Sequence, residues 1–117
     1  MMALTARHFG LWNAWLPFSN DPIGKLRDLS KKLDGACEQE NRDPATLKRT
    51  AAVAIGVLDR AVRYGPHEMV SLGGSTGELV ERLHALDAAG IEHVQLCFAP
   101  ATPKGIEAFT PVLEALR

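Results

Sequence analysis

The chain has 117 residues, 46% of them apolar and 23% charged, with a net charge of −1 and two cysteines. Those figures fit one compact domain and exclude a disordered chain, a disulfide scaffold and a spanning helix, which needs ~18 consecutive apolar residues. The 13 basic and 14 acidic side chains are spread evenly, so no electrostatic footprint for nucleic acid or anionic lipid is present.

In chain order, residues 1–8 read as the tail of a helix ended by Gly10 as a C-terminal cap. The N-terminal stretch from Met1 to Phe18 carries Arg7 and is only mildly apolar, Asn13 interrupts it and no small-residue cleavage site follows. The chain is therefore expected to be cytoplasmic and unprocessed. Residues 11–16, Leu-Trp-Asn-Ala-Trp-Leu, form a first strand stopped by Pro17. That strand places Leu11, Asn13 and Trp15 on one face and Trp12, Ala14 and Leu16 on the other.

Asp21 before Pro22 is a helix start, an N-cap followed by proline at the first helical position. Ile23, Leu26, Ser30, Leu33 and Cys37 recur at helical spacing and predict one buried stripe, with the helix ending near Glu40. Asn41 suits the left-handed conformation, and Asp43-Pro44 opens a turn or a short helix through Leu47. Residues 51–58 are almost continuously apolar, the pattern of a parallel strand buried on both faces. Residues 59–72 are more polar, contain Gly65-Pro66 and read as a surface connection.

Gly73-Gly74 precedes Ser75, which with Glu78 makes a capping box for a helix whose stripe is Leu79, Val80, Leu83 and Leu86. Gly90 ends it. Residues 93–99 form the third strand, and a last helix over 103–116 is expected to turn Ile106, Phe109, Val112, Leu113 and Leu116 inward. The fold class is therefore α/β, with parallel strands alternating with helices through right-handed crossovers.

Four segments of this order carry a family resemblance. Thr5-Ala6-Arg7-His8 leads into Leu11-Trp12-Asn13-Ala14-Trp15, and Asn41-Arg42-Asp43-Pro44 forms a turn. Leu72-Gly73-Gly74-Ser75-Thr76-Gly77-Glu78 opens a helix, and Ala88-Ala89-Gly90-Ile91-Glu92-His93-Val94-Gln95-Leu96 enters a strand. Together they resemble luciferase-like monooxygenases. The family's patterns there are Ala-Arg-(Tyr/His) before Asp-Gly-Trp-Asn, then Gly-Arg-Asp-Pro, Gly-(Ser/Thr)-Pro-Glu and Ala-Gly-(Val/Ile)-Asp-His. Phe9-Gly10 departs from the usual Ala-Asp, which removes a carboxylate at the first strand's entrance. Asn41 and Gly77 replace a turn glycine and a helix-start proline.

The resemblance implies a β/α barrel oxidoreductase that uses FMN or a deazaflavin coenzyme for monooxygenation or hydride transfer on a small-molecule substrate. Residues 1–117 would be a single partial-barrel domain, the last three β/α units of a barrel that needs ~250 residues. The family's Gly-Gly phosphate-binding loop and early strands are not among these residues. The expectation is a C-terminal fragment that neither binds the cofactor nor catalyses by itself. Sites in such barrels lie at the C-terminal ends of the strands. That makes Asn13 and Trp15 the candidate substrate-binding residues, with core packing as the competing assignment for Trp12 and Trp15. Residues 98–101 would also rim the site, mainly through backbone and shape.

Other candidate chemistry is thin. Residues 73–77 are the nearest approach to a phosphate cradle, yet they lack a P-loop lysine and a dinucleotide spacing, so a capped loop is the better reading. His8, His67, His84 and His93 have no metal-ligand spacing; His84 reads as solvated and His93 as structural. Cys37 and Cys97 read as small hydrophobes, with no partner base for a nucleophile. Lys48, Arg49, Arg60 and Arg63 read as a solvated rim. A second reading is a non-catalytic assembly module. Its unpaired sheet edges would take up another copy or a complementary fragment.

Overall fold

The computed structural model describes residues 1–56, 62–64, 67–99 and 101–117, with side chains except at 62–64, 67–69 and 99. The elements are α1 (Met2–His8), β1 (Leu11–Trp15), α2 (Pro22–Gln39), a 3-10 turn (Pro44–Thr46), β2 (Lys48–Gly56), β3 (Val62–Tyr64), β4 (His67–Met69), β5 (Ser71–Leu72), α3 (Thr76–Ala88), β6 (His93–Ala99), α4 (Pro103–Glu107) and α5 (Thr110–Ala115). β2 is the centre of the main sheet. It pairs in parallel with β1 from Leu11↔Lys48 to Trp15↔Ala52, with β6 from Thr50↔His93 to Gly56↔Ala99, and with the short β5 at Ala54↔Ser71.

The helices lie on one side of this sheet. Trp12, Ala14 and Leu16 of the β1 segment, Ala51, Val53 and Ile55 of β2, and Val94, Leu96 and Phe98 of β6 pack there against Leu26, Leu79, Leu86, Phe109 and Val112. As expected, β2 is buried from Thr50 to Ile55 on both faces. The α2 stripe is also as expected, with Leu26, Leu33 and Cys37 fully buried.

Helix ends follow local chemistry. Asp21 caps α2 by accepting from the Gly24 N–H at 3.0 Å. Ser75 and Glu78 form the expected reciprocal box: the Ser75 N–H donates to Glu78 Oε2 at 2.7 Å and the Glu78 N–H to Ser75 Oγ at 3.3 Å. Gly74 has φ +116°, and a Cβ there would lie 2.2 Å from Glu78 Oε2, so only glycine fits this turn. Asn41 takes the left-handed conformation, φ 56°, as its position after α2 predicted.

Three expectations need correction. α1 does not end on a glycine cap: Phe9 is extended and its N–H returns to Thr5 O. The guanidinium of Arg42 takes the place of that cap, donating to the carbonyls of Ala6 and Phe9. The connection 59–72 is more ordered than a plain loop. Its described part holds an antiparallel hairpin, β3 with β4 from Val62↔Met69 to Tyr64↔His67, and β5. Residues 57–61, the Gly65-Pro66 pair and Pro100 lie outside the described residues.

The last helix is broken in two. Pro111 has no N–H to donate and its ring crowds the carbonyl four residues back, so α4 stops at Glu107 and α5 restarts at Thr110. The kink keeps Phe109 and Val112 buried and turns Ile106, Leu113 and Leu116 outward, against the expectation of one inward stripe.

The α1–α2 corner carries an exposed fork. Arg7 Nε and NH2 each donate to a Glu40 carboxylate oxygen at 2.9 Å. These hydrogen bonds, and then the guanidinium charge, hold the Glu40 carboxyl below the ordinary glutamate range. Because the folded value is the lower one, the pair stabilises the fold above the unfolded carboxyl's pKa and loses that contribution as pH falls through the folded value. An NMR titration should find the Glu40 midpoint lowered, and Arg7→Ala should return it to that of an exposed glutamate.

Candidate functional site

The side of the sheet opposite the helices carries the candidate site. Pleating turns Leu11, Asn13 and Trp15 of β1 to this side. Register sets Lys48, Thr50 and Ala52 of β2 beside them, and His93 and Gln95 of β6 beside Thr50 and Ala52. Two rows cross the face: Asn13, Thr50, His93 and, one level on, Trp15, Ala52, Gln95. Trp15 ends β1 and is 54% exposed.

Asn13 and Trp15 thus share one face, as the alternation in residues 11–16 predicted, while Trp12 is packed into the core on the other. The hydroxyl of Thr50, 2% exposed, donates to Asn13 Oδ1 at 2.8 Å, with the Trp12 carbonyl 3.2 Å away. This bond fixes the Asn13 amide and turns its NH2 group to the open side, where among the described residues it has no partner. Thr50→Val is expected to cost about 1 kcal/mol of stability, the net value of such a bond. A double-mutant cycle with Asn13→Ala should return a coupling of about 0.5–1 kcal/mol; a coupling near zero would mean that the bond does not form in solution.

Sequence reasoning missed Thr50, which stands just before the apolar run 51–58. The available signal was a β-branched hydroxyl at the start of a strand, and its partner could not be known without the β1–β2 register. His93, read as structural, is exposed on the open face. With Leu11, Lys48, Thr50, Glu92 and Gln95 it lines a hollow of about 400 Å³ at the N-terminal ends of the strands.

The remaining candidates fall elsewhere. Arg49 lies on the helix side of β2, ion-paired with Asp34 of α2, and Lys48 is exposed. Arg60 lies outside the described residues, as do the side chains of Arg63 and His67. His84 is exposed, Cys37 buried and Cys97 half-buried. Among the described residues no group of three His, Cys, Asp or Glu side chains is placed to hold a metal ion. No helix there is long and apolar enough to cross a membrane.

Three of the described helix starts are closed to a cofactor phosphate. The α3 N-terminus is filled by the Glu78 carboxylate, which would repel an anion; α2 is capped by Asp21 and α4 by Thr102. These three starts therefore do not fit the phosphate of FMN or of a deazaflavin coenzyme, while α1 and α5 carry no side-chain cap.

No protein-family model matches the sequence, and no curated protein matches it. Among solved structures, an F420-dependent secondary alcohol dehydrogenase in complex with an F420-acetone adduct superposes with a TM-score of 0.68 over 99% of this chain, at 15% identity. The likeness is one of fold. This chain spans 46% of the dehydrogenase chain, somewhat less than half.

Proposed function

We propose that the chain is the C-terminal share of a luciferase-like barrel oxidoreductase that uses FMN or a deazaflavin, and that it does not turn over substrate alone. The observation that carries this reading is the fold likeness over 99% of the chain to an F420-dependent alcohol dehydrogenase, since F420 is itself a deazaflavin. The ordered motifs around Asn13, Arg42, Glu78 and His93 point the same way. In this reading the open sheet face is part of the barrel's inner wall. Trp15, at the C-terminal end of β1, and Asn13, with its amide turned outward by Thr50, contact the small-molecule substrate. The free thiols of Cys37 and Cys97 suit a cytoplasmic setting.

The test has two arms. Fluorescence titration of F420 and of FMN with the chain alone should show no stoichiometric binding and no alcohol oxidation. A chimera that joins the N-terminal half of the F420-dependent dehydrogenase to this chain should bind F420, and Asn13→Ala and Trp15→Ala should then weaken substrate use. Stoichiometric binding with turnover by the chain alone, or a folded chimera indifferent to both substitutions, overturns the reading. The second reading, a non-catalytic assembly module, is favoured by the outer edges of β1 and β6, which have no strand partner among the described residues.

A further inference from the structure

We infer that Thr50 is a positioning residue that fixes which way round the Asn13 amide meets a ligand, so that the site takes a small molecule whose oxygen accepts a hydrogen bond there. The inference rests on the reading of Asn13 and Trp15 as substrate contacts and names the class of substrate they fit. It uses only contacts between β1 and β2, both of which lie among the described residues.

An asparagine side chain carries one carbonyl oxygen and one NH2 group, and a free amide can turn either to a ligand. Here one side is taken. Register sets Asn13 opposite Thr50. The hydroxyl of Thr50, a residue only 2% exposed, lies 2.8 Å from Asn13 Oδ1 and 3.2 Å from the Trp12 carbonyl. A hydroxyl has a single proton to donate and O–H···O bonds span about 2.5–3.0 Å, so the proton goes to Asn13 Oδ1. The Trp12 carbonyl has another donor. The Lys48 N–H donates to Gly10 O and the Leu16 N–H to Ala52 O. Donors recur at every second residue of a parallel ladder, which gives Trp12 O the backbone N–H of Thr50.

With Oδ1 turned to β2, the group that Asn13 presents to a ligand is its NH2, a donor. Trp15 stands two residues on, ~6.6 Å along the strand. Its exposed indole adds an apolar ring face and a nitrogen that likewise only donates. Ala52, opposite Trp15 in register, is buried and ends at its Cβ, so β2 sets no large side chain beside the indole. The two contacts therefore offer donors and an apolar surface. That set fits a carbonyl or alcohol oxygen joined to an apolar group, whereas a group that can only donate finds no side-chain acceptor on β1. Valine in place of Thr50 would keep the shape and the strand preference of this position. The hydroxyl is what sets the polarity of the Asn13 contact.

The orientation is tested by NMR on the full chain. Both Nδ2 protons of Asn13 should exchange with water as those of an exposed amide do, in the parent and in Thr50→Val alike. A proton protected in the parent and released in Thr50→Val means that the amide lies the other way round, and overturns the inference. The substrate class is tested in the chimera with the N-terminal half of the F420-dependent dehydrogenase, using 2-propanol as substrate and acetone, which can only accept, as inhibitor. Thr50→Val should raise the KM for 2-propanol and the acetone inhibition constant together, about fivefold each, with F420 affinity unchanged. Thr50→Ser keeps the hydroxyl and should bring both back to within about twofold of the parent. Asn13→Asp still accepts from Thr50 but turns a second acceptor to the ligand, so it should weaken acetone more than Asn13→Ala does. An Asn13→Asp chimera as effective as the parent, or a Thr50→Val chimera that holds acetone as the parent does, overturns the inference. A chimera that fails to bind F420 counts against the oxidoreductase reading instead, and the exchange measurement on the chain still decides the orientation.

Discussion

Phe109→Ala is expected to lower the unfolding free energy by about 3–5 kcal/mol, the range for deleting a buried phenyl group. Phe109 is 1% exposed and meets Phe98 of β6 edge to face, with ring centroids 5.3 Å apart and planes at 79°. Its place in the chain raises the stake. It sits between α4 and α5, whose Ile106, Leu113 and Leu116 turn outward, so Phe109 and Val112 hold the C-terminal helical pair against the sheet. A domain of this size has ~5–15 kcal/mol in total, so the loss is a large part of it. Urea unfolding is the measurement, with Phe109→Leu as the milder companion. A loss under about 1 kcal/mol would show that α4 and α5 are not docked on β6 in solution.

Arg42→Ala is expected to cost about 1.5–3 kcal/mol, the range for hydrogen bonds to a charged group, of which only the bond to the Ala6 carbonyl is part-buried. Its NH1 donates to the Ala6 carbonyl at 3.0 Å and to the Phe9 carbonyl at 2.5 Å, its Nε to Thr46 Oγ1 at 3.0 Å and its NH2 to the Thr46 carbonyl at 3.1 Å. One side chain thus ties the end of α1 to the turn before β2. The same corner buries Ala6 against Leu33, Cys37 and Leu47. Arg42→Lys should recover less than half of the loss, because an ammonium cannot reach four acceptors set in a planar fork. Urea unfolding gives the magnitude, and hydrogen exchange at Thr5 and Phe9 shows whether α1 detaches first. A change below about 0.5 kcal/mol would mean that α1 is held by its apolar contacts alone.

Arg42 also marks the boundary of what a linear reading reaches. Its segment, Asn41-Arg42-Asp43-Pro44, is legible as a turn from asparagine's tolerance of positive φ and the Asp-Pro start. Nothing local says that the guanidinium reaches back over thirty residues to replace a glycine cap on α1. The site divides in the same way. Alternation in residues 11–16 put Asn13 and Trp15 on one face of a strand. That Thr50 stands opposite Asn13 and holds its amide, and that His93 continues the row, follows from strand register.

Whatever depends on a few neighbouring residues was settled along the chain: the Asp21 cap, the Ser75–Glu78 box, the left-handed Asn41, and β2 as a strand buried on both faces. These rest on hydrogen bonds three residues apart and on side-chain periodicity, which the chain carries wherever it goes. The hairpin within 59–72, the outward turn of Leu113 and Leu116 and the two sheet edges without a strand partner among the described residues came from packing. Each depends on which distant surface is present to cover an apolar group or pair a backbone amide, and pairing energy of that kind is a property of two segments together.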